Sequence, residues 1–228
     1  MPEQVFSPHP DATPTEQAAW RVARLAGALA TDYLGFKGLT TLVDNPIALR
    51  ALEHLEEANR GPAAVPLGQI ERLDGTAHSF DLSHAIRNIA ASAEFRNRRE
   101  RLWLSSLLLA VGDELAGMEP YYFDRGPDLE MIRHLRNGVA HGNRFDLRAG
   151  QPIRPAWFTG GRGARADGSS APATTFVIRP ELDGMRVLFD FMGPGDVLEL
   201  VQHIEWRLLR VGNHDPVHNL YEQLPPSN

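Results

Sequence analysis

The sequence predicts an all-α helical bundle with a small β-hairpin appended near its C-terminus. Apolar residues recur three and four positions apart in several segments, and glycine or proline separates these segments. Two neighbouring runs, 174–179 and 185–192, are instead rich in strand-forming residues and are joined through Asp183-Gly184, which favours a hairpin turn. Strands and helices do not alternate along the chain, so the order of elements does not fit a parallel α/β sheet.

Two helices in the N-terminal part are predicted from their start signals. Thr13-Pro14-Thr15-Glu16 combines a threonine cap, a proline at the first helical position and a glutamate three residues after the cap. It predicts a helix to about Tyr33, where glycines follow. Asn45-Pro46 predicts the start of a second helix, which Gly61-Pro62 ends. The segment 60–80 has few periodic apolar residues and is predicted to be a loop, either without regular structure or with one short helix.

The remaining helices contain the predicted core. Residues 81–115 are expected to form one long helix or two, and 102–111 are apolar nearly all round, which is typical of the buried centre of a bundle. Pro127-Asp128 starts the next helix, and Gly142 is a natural left-handed stop for it. A last helix is predicted for 196–211.

These elements predict a flexible tail at 1–12, N-terminal helices at 13–80, a helical bundle at 81–211 and a C-terminal tail at 212–228. The bundle contains the hairpin at 174–192 and a loop at 159–172, which is rich in glycine, serine and arginine and is expected to be mobile. No internal repeat is visible, so one bundle is expected rather than a repeat array.

Composition excludes several classes of protein. Of the 228 residues, 43% are hydrophobic and 23% are charged, which is ordinary for a folded domain and unlike a disordered or fibrous chain. Cysteine is absent, so no thiol nucleophile, disulfide or iron–sulfur ligand is present. No apolar run reaches about 18 residues, and the first eight residues lack the pattern of a signal peptide. We therefore expect a cytoplasmic protein without a membrane segment.

Positive charge is concentrated in one window, although the chain is acidic overall with a net charge of −6. Between Arg133 and Arg165 lie seven arginines and one acid, Asp146, which gives the window a charge of +6 and leaves −12 for the remainder. Arginine binds phosphate with two parallel hydrogen bonds. The window therefore favours an anionic ligand, whereas the overall acidity argues against a general nucleic-acid coat protein.

The helix predicted after Pro127 has two distinct faces. Arg133, Asn137 and His141 lie four residues apart and form a polar stripe, and the long side chain of Arg136 can reach this stripe from one position away. The apolar residues occupy a different arc: Leu129, Ile132, Leu135 and Val139. One face of the helix is therefore expected to pack in the core while the other presents arginine, asparagine and histidine together.

His141 lies in the last turn of this predicted helix. The free carbonyl groups at a helix end favour a protonated imidazole, whereas neighbouring arginines disfavour it. In either case a histidine transfers protons near neutral pH. Arg136 is suited to hold a phosphate or to stabilise charge in its transition state, and Asn137 to orient either group. Gly138 and Ala140 leave little side chain beside the stripe, which would let a partner helix or a phosphate backbone come close.

Arg136-Asn137-(three residues)-His141 resembles the Arg-polar-x-x-x-His signature of the HEPN superfamily. The flanks are similar too: an apolar helix ends in Leu-Arg-Asn, Ala-His-Gly follows, and a hairpin and a closing helix come after it. The resemblance covers about residues 80–211. It implies a helical bundle that pairs with a second copy, so that two motif helices face each other across a cleft. Many members are metal-independent endoribonucleases, often toxins or antiviral effectors.

For this chain the resemblance implies a role for each motif residue. His141 is the expected catalytic acid or base, Arg136 the group that stabilises the phosphate and its transition state, and Asn137 the residue that orients them. The 2′-hydroxyl of the RNA would attack the adjacent phosphate and leave a 2′,3′-cyclic phosphate and a 5′-hydroxyl.

Further expectations concern ligands and partners. Arg133, Arg144 and Arg148 of the basic window are the expected RNA-binding residues, and no metal or other cofactor is expected. A homodimer is expected, with an antitoxin or a defence complex as a possible further partner. HEPN proteins that do not cleave RNA share the same resemblance, so a non-catalytic dimeric RNA-binding or adaptor module is the alternative. The acidic remainder of the chain would suit a basic partner.

Three weaker patterns each have two interpretations or lack support. The basic run 96–101 can line an RNA groove or be a solvated helix end. The aromatic run Tyr121-Tyr122-Phe123 can stack on bases or pack at a corner of the bundle. His214 and His218 have the spacing of metal ligands, but Pro216 interrupts the segment and no third ligand cluster lies near.

Overall fold

The computed structural model describes residues 7–43, 45–58, 68–80, 84, 88, 93–118, 126–147, 153–161 and 172–213. This part of the chain is mostly helical and contains two small antiparallel sheets, which confirms the predicted helical class with a minor β component. None of the helices in these ranges is both long enough and apolar enough to cross a membrane. Several predictions lie outside the described residues: the ends of both tails, Gly61-Pro62, the helix start at Asp81 and most of the loop 159–172.

The described helices are α1 (Pro14–Val43), α2 (Pro46–Ala58), α3 (Ala93–Gly117), α4 (Pro127–Ala140) and α5 (Pro194–Gly212). The strands are β1 (Gly68–Glu71), β2 (Ala77–Phe80), β3 (Trp157–Thr159) and β4 (Thr175–Val177), and a 3-10 turn follows at Pro180–Leu182. Strand β1 pairs with β2, and β3 pairs with β4.

The chain divides into two compact units. One contains Met1–Thr31 and Leu102–Asn228, and the other contains Asp32–Arg101. This division differs from the predicted boundary at residue 80, because the first part of α1 packs with helices from the C-terminal half. We refer to these as the larger and the smaller unit.

Small residues let α1 and α5 approach each other closely in the larger unit. Gly27 of α1 lies directly against the carboxylate of Glu205, and a Cβ at this position would displace that carboxylate. Gly212 of α5 lies against Trp20, and a Cβ there would come within 2.7 Å of the Trp20 Cβ. Burial raises the pKa of Glu205, and the positive charge of Arg24 opposes this.

The core of the larger unit includes apolar side chains from α3, α4 and α5: Leu104, Leu107, Leu108, Val111, Leu129, Ile132, Leu135, Val197, Leu200, Ile204 and Leu208. Helix α1 adds Ala19, Val22, Ala23 and Ala26 to this core. The prediction that the whole run 102–111 is buried is wrong in part. The buried positions of α3 recur three and four residues apart and define one face of the helix. Leu102 lies off this face and is 67% exposed, and Trp103 is 36% exposed.

In the smaller unit, α1 continues past the predicted end near Tyr33 to Val43. Two glycines, Gly35 and Gly38, do not end the helix, although each costs about 1 kcal/mol relative to alanine in a helix interior. Contacts with α3 stabilise this extension. The Tyr33 hydroxyl donates to Glu100 Oε1 at 2.6 Å, and Lys37 Nζ binds the same oxygen at 2.8 Å.

The prediction of a loop at 60–80 is wrong for its second half, because β1 and β2 form an antiparallel hairpin there. The turn contains Asp74-Gly75. Asp74 Oδ1 accepts hydrogen bonds from the backbone N–H and the hydroxyl of Thr76, and Gly75 has a positive φ of 79°. An aspartate–glycine pair is a strong hairpin signal, and it outweighs the weak periodicity of the flanking residues.

The predicted hairpin between 174–179 and 185–192 is also wrong in its partners. Strand β4 pairs with β3, with Phe158 opposite Phe176. The segment after Asp183-Gly184 binds the loop that follows α4 instead: the Phe145 N–H donates to the Met185 carbonyl, and the Val187 N–H donates to the Asn143 carbonyl. The strand-forming residues of 185–188 therefore pair with a distant loop rather than with their neighbours in sequence.

Candidate functional site

Helix α4 carries the predicted motif and has the predicted bounds. It begins at Pro127 and ends at Ala140, and Gly142 has the left-handed φ of 79° that a helix stop requires. Leu129, Ile132 and Leu135 are fully buried, so the apolar stripe anchors the helix in the core.

The polar stripe of α4 lies on the solvent side, as the spacing predicts. Arg133 and His141 are exposed, and Arg136 and Asn137 are partly exposed. His141 is the C-cap residue, and its backbone N–H donates to the Asn137 carbonyl at 3.0 Å. The histidine therefore follows Asn137 by one helical turn on the same side of the helix.

The guanidinium of Arg136 is held by two neighbours. Its Nε and Nη2 donate to a single oxygen of Asp113, Oδ1, at 2.8 and 2.5 Å. Its Nη1 donates to Asn137 Oδ1 at 3.2 Å. Arg136 and Asn137 are thus brought together as expected, and Asp113 of α3 is a third member that sequence reasoning missed. No local pattern marks Asp113, because it is 23 residues away in a segment dominated by leucine.

The imidazole of His141 is open to solvent. Within the described part of the chain, its side chain has no hydrogen bond or ion pair, and its backbone N–H accounts for its contact with Asn137. An exposed imidazole at a helix end is accessible to a ligand from solvent.

Gly138 does not leave space for an incoming ligand. A Cβ at this position would overlap Val187 Cγ2 and come within 3.2 Å of the Arg144 carbonyl oxygen. The close approach expected at Gly138 is therefore made by the chain itself. The segment 185–188 packs onto the end of α4 and fixes the backbone that carries His141.

Asn143 binds the segment 185–188 through its side chain, and sequence reasoning did not predict this contact. Its φ of 64° is left-handed, a conformation that asparagine tolerates better than most residues. Its side chain pairs with the backbone of Leu188 in both directions: Oδ1 accepts from the Leu188 N–H at 2.9 Å, and Nδ2 donates to the Leu188 carbonyl at 3.3 Å. The signal that could have found it is an asparagine directly after the stop Gly142.

Two of the three predicted RNA-binding arginines have partners within the protein. Arg133 Nε donates to the buried carboxylate of Glu130 at 2.6 Å, although about half of the arginine side chain is exposed. Arg144 Nη1 donates to the Gly184 carbonyl at 2.6 Å. Arg148 lies outside the described residues. The structure thus joins the side chains of Arg136 and Asn137 and places His141 one helical turn after Asn137, but it does not show Arg133 or Arg144 joining them.

His134 is buried next to the exposed stripe. Its pKa is lowered to about 4, first by burial and then by the positive charge of Arg133, against the opposing effect of Glu130. Its imidazole is therefore neutral at physiological pH, and Arg133 Nη2 lies 3.3 Å from its Nε2. Since Arg133 can only donate, Nε2 is the acceptor.

The opposite end of α4 carries a buried ion pair. Asp128 and Arg207 are each 2% exposed, and Asp128 Oδ1 accepts from Arg207 Nη1 at 2.5 Å. Asp128 Oδ2 lies 3.1 Å from Nε2 of His203, which is partly exposed. Gly126 leaves room for the guanidinium, because a Cβ there would lie 2.7 Å from Arg207 Nη1. This buried cluster joins α4 to α5 and has no access to a large ligand.

Metal binding has no support in the described ranges, which contain no group of three or more side chains arranged to hold a metal ion. His214 and His218 lie outside these ranges. Comparisons with known proteins give no assignment either: no family model, no curated protein and no solved structure matches this chain.

Proposed function

We propose that this protein is a metal-independent endoribonuclease of HEPN type with His141, Arg136 and Asn137 as its catalytic residues. The observation that carries the proposal is the arrangement at the end of α4. Arg136 is hydrogen-bonded to Asn137, and the exposed His141 follows one turn later on the same side of the helix. The resemblance of this motif to the HEPN signature supplies the reaction.

In this reaction the 2′-oxygen of a ribose forms a bond to the adjacent phosphorus, and the bond from phosphorus to the 5′-oxygen breaks. The proton of the 2′-hydroxyl goes to a base, and the departing 5′-oxygen receives a proton from an acid. Arg136 stabilises the extra negative charge on the phosphorus-bound oxygens in the transition state. No water and no metal ion is consumed or required.

An acid and a base are both needed, whereas each chain contributes one His141. A homodimer in which two copies of α4 face one cleft would supply both groups, and it is part of the proposal. A cytoplasmic toxin or antiviral effector is the biological role that such an activity fits. An antitoxin or a subunit of a defence complex is the corresponding partner.

The test is cleavage of RNA in the presence of EDTA by the wild type, His141→Ala and His54→Ala. His54 is a matched control because it is another exposed histidine, in α2 of the smaller unit. We expect His141→Ala to lower the cleavage rate by about 10²- to 10⁴-fold, the usual contribution of acid–base catalysis. His54→Ala should cleave like the wild type, and a 2′-deoxy substitution at the cleaved position should abolish cleavage.

Equal cleavage by the wild type and His141→Ala would contradict the proposal, and so would a wild type that does not cleave. The second candidate is a non-catalytic dimeric RNA-binding or adaptor module of the same kind. The Asp113 carboxylate favours it, because this acid already shares the charge of Arg136. RNA binding that depends on Arg136, without cleavage by the wild type, would support this alternative.

A further inference from the structure

Two consecutive residues of α3 contact Arg136 along its whole length. Gly112 lies under the aliphatic stem: a Cβ at this position would come within 2.5 Å of Arg136 Cγ and 2.7 Å of its Cβ. Asp113 binds the head of the same side chain through Nε and Nη2. One residue thus leaves space for the stem, and the next fixes the direction of the guanidinium.

The remaining hydrogen-bonding capacity of Arg136 can be counted. A guanidinium has five N–H groups, one on Nε and two on each terminal nitrogen. Asp113 takes the Nε–H and one N–H of Nη2, and Asn137 takes one N–H of Nη1. One N–H therefore remains on Nη1 and one on Nη2. These two nitrogens form the fork with which arginine binds two oxygens of a phosphate.

We propose that Gly112 and Asp113 form a positioning element that presents the Nη1 and Nη2 edge of Arg136 to a phosphate of the RNA backbone. Asp113 itself touches no substrate and is a positioning residue. The inference rests on the proposed function, since it assumes that Arg136 binds RNA. It goes beyond that function by adding two residues to the site and by stating which edge of the guanidinium the ligand uses.

The main effect of Asp113 on Arg136 is to fix the position of the guanidinium rather than to neutralise its charge. The side chain of Asp113 is 56% exposed and that of Arg136 is 34% exposed, so solvent weakens the attraction between their charges. Without Asp113, ordering the long Arg136 side chain on binding costs about 0.5–1.5 kcal/mol, which is about two- to tenfold in affinity. The carboxylate orders the side chain before the ligand arrives.

The position of Arg136 is tested first without RNA, by NMR of the ¹⁵N-labelled full-length protein. The Nε–H signal of Arg136 is identified by its loss in Arg136→Lys. In the wild type we expect a restricted side chain, and in Asp113→Ala an order parameter below about 0.6. Glu114→Gln, which removes a charge from the next residue of α3, should leave the signal unchanged. A signal equally mobile in the wild type and Asp113→Ala overturns the inference.

The consequence for the ligand is tested by the binding of a 2′-O-methylated RNA, which the proposed reaction cannot cleave. Asp113→Ala should weaken binding about two- to tenfold in the wild-type background and leave it unchanged in an Arg136→Ala background. An equal loss in both backgrounds would mean that Asp113 acts on the fold, and tighter binding would mean that it competes with phosphate. Either result overturns the inference.

Gly112→Ala gives a second variant that keeps every charge. Alanine is the better helix former, but its methyl group displaces the Arg136 stem, so RNA binding should weaken although Asp113 is intact. Unchanged binding would overturn the role of Gly112. A wild type that neither binds nor cleaves RNA contradicts the proposed function, and the NMR result still decides whether Asp113 positions Arg136.

Discussion

The two ends of α4 carry the same chemical pair in opposite surroundings. At its N-terminal end, Asp128 binds Arg207, and both residues are 2% exposed. At its C-terminal end, Arg136 binds Asp113, and both side chains keep a third or more of their surface exposed. A carboxylate that binds an arginine is thus part of the protein interior at one end of the helix and leaves a partly exposed guanidinium at the other.

Burial decides which of these roles a pair takes. Two charges removed from water must satisfy each other, because either one left alone would carry its full desolvation penalty. Two partly exposed charges remain solvated, so their pairing contributes little to the free energy of unfolding, and the guanidinium keeps N–H groups for a ligand. Substitution of aspartate by asparagine at both ends of α4 therefore measures how much more the buried pair contributes to stability than the exposed pair.

The largest effect is expected for Asp128→Asn. The amide keeps one acceptor for Arg207 but removes the buried negative charge that its guanidinium contacts. We expect the free energy of unfolding to fall by about 3–5 kcal/mol, measured by urea denaturation. A loss below about 1 kcal/mol would mean that the buried pair contributes no more to stability than an exposed one. The two ends of α4 would then not differ in this respect.

An intermediate effect is expected from His134, which lies between the two ends. Its pKa is about 4 in the folded protein and near 6.5 when unfolded, so the unfolded state takes up a proton first as the pH falls. The contribution of His134 to the free energy of unfolding is therefore fully present above pH 6.5. As the pH falls towards 4, this contribution declines by about 1–2 kcal/mol after allowance for screening.

His134→Gln provides the comparison, because glutamine does not titrate. The difference in unfolding free energy between the wild type and His134→Gln should shrink from pH 7 to pH 4. A constant difference over this range would show that His134 takes up its proton equally in the folded and unfolded states.

The smallest effect on stability is expected for Asp113→Asn. An exposed ion pair contributes about 0–1 kcal/mol, so the melting curve should stay close to that of the wild type. Binding of RNA should nevertheless weaken, since an uncharged amide orients Arg136 less firmly than a carboxylate. A loss of stability comparable to that of Asp128→Asn would mean that both ends of α4 serve the fold.

The sequence predicts local features of α4 correctly and long-range ones poorly. The bounds of the helix follow from Pro127 and Gly142, and the exposure of Asn137 and His141 follows from helical spacing, all within one segment. The contact of Asp113 with Arg136 joins residues from two helices, and no pattern within either helix encodes it. The polar groups of the site were therefore predictable, but the acid that orients one of them was not.

The prediction of strand pairing in the small sheets fails for a related reason. Strand propensity points to 174–179 and 185–192, but only Thr175–Val177 of these two runs forms a strand, and propensity does not choose its partner. Asp183-Gly184 favours pairing between neighbours, yet Asn143 offers the Leu188 backbone a donor and an acceptor at once. In the smaller unit the opposite holds: the local Asp74-Gly75 turn sets the β1–β2 hairpin, and weak periodicity concealed it.

The contacts between the loop after α4 and the segment that begins at Asp183 also affect where the chain can accept insertions. Asp183 Oδ1 accepts from the Leu147 N–H, and the Gly184 N–H donates to the Phe145 carbonyl, so residues 147 and 183 meet. The two residues are 36 positions apart in the sequence and are held next to each other. Doubling the length of a flexible segment between two fixed ends costs only about 0.6 kcal/mol of closure entropy. The connection between β3 and β4 can therefore be lengthened, in natural variants or by design, while His141 keeps its position.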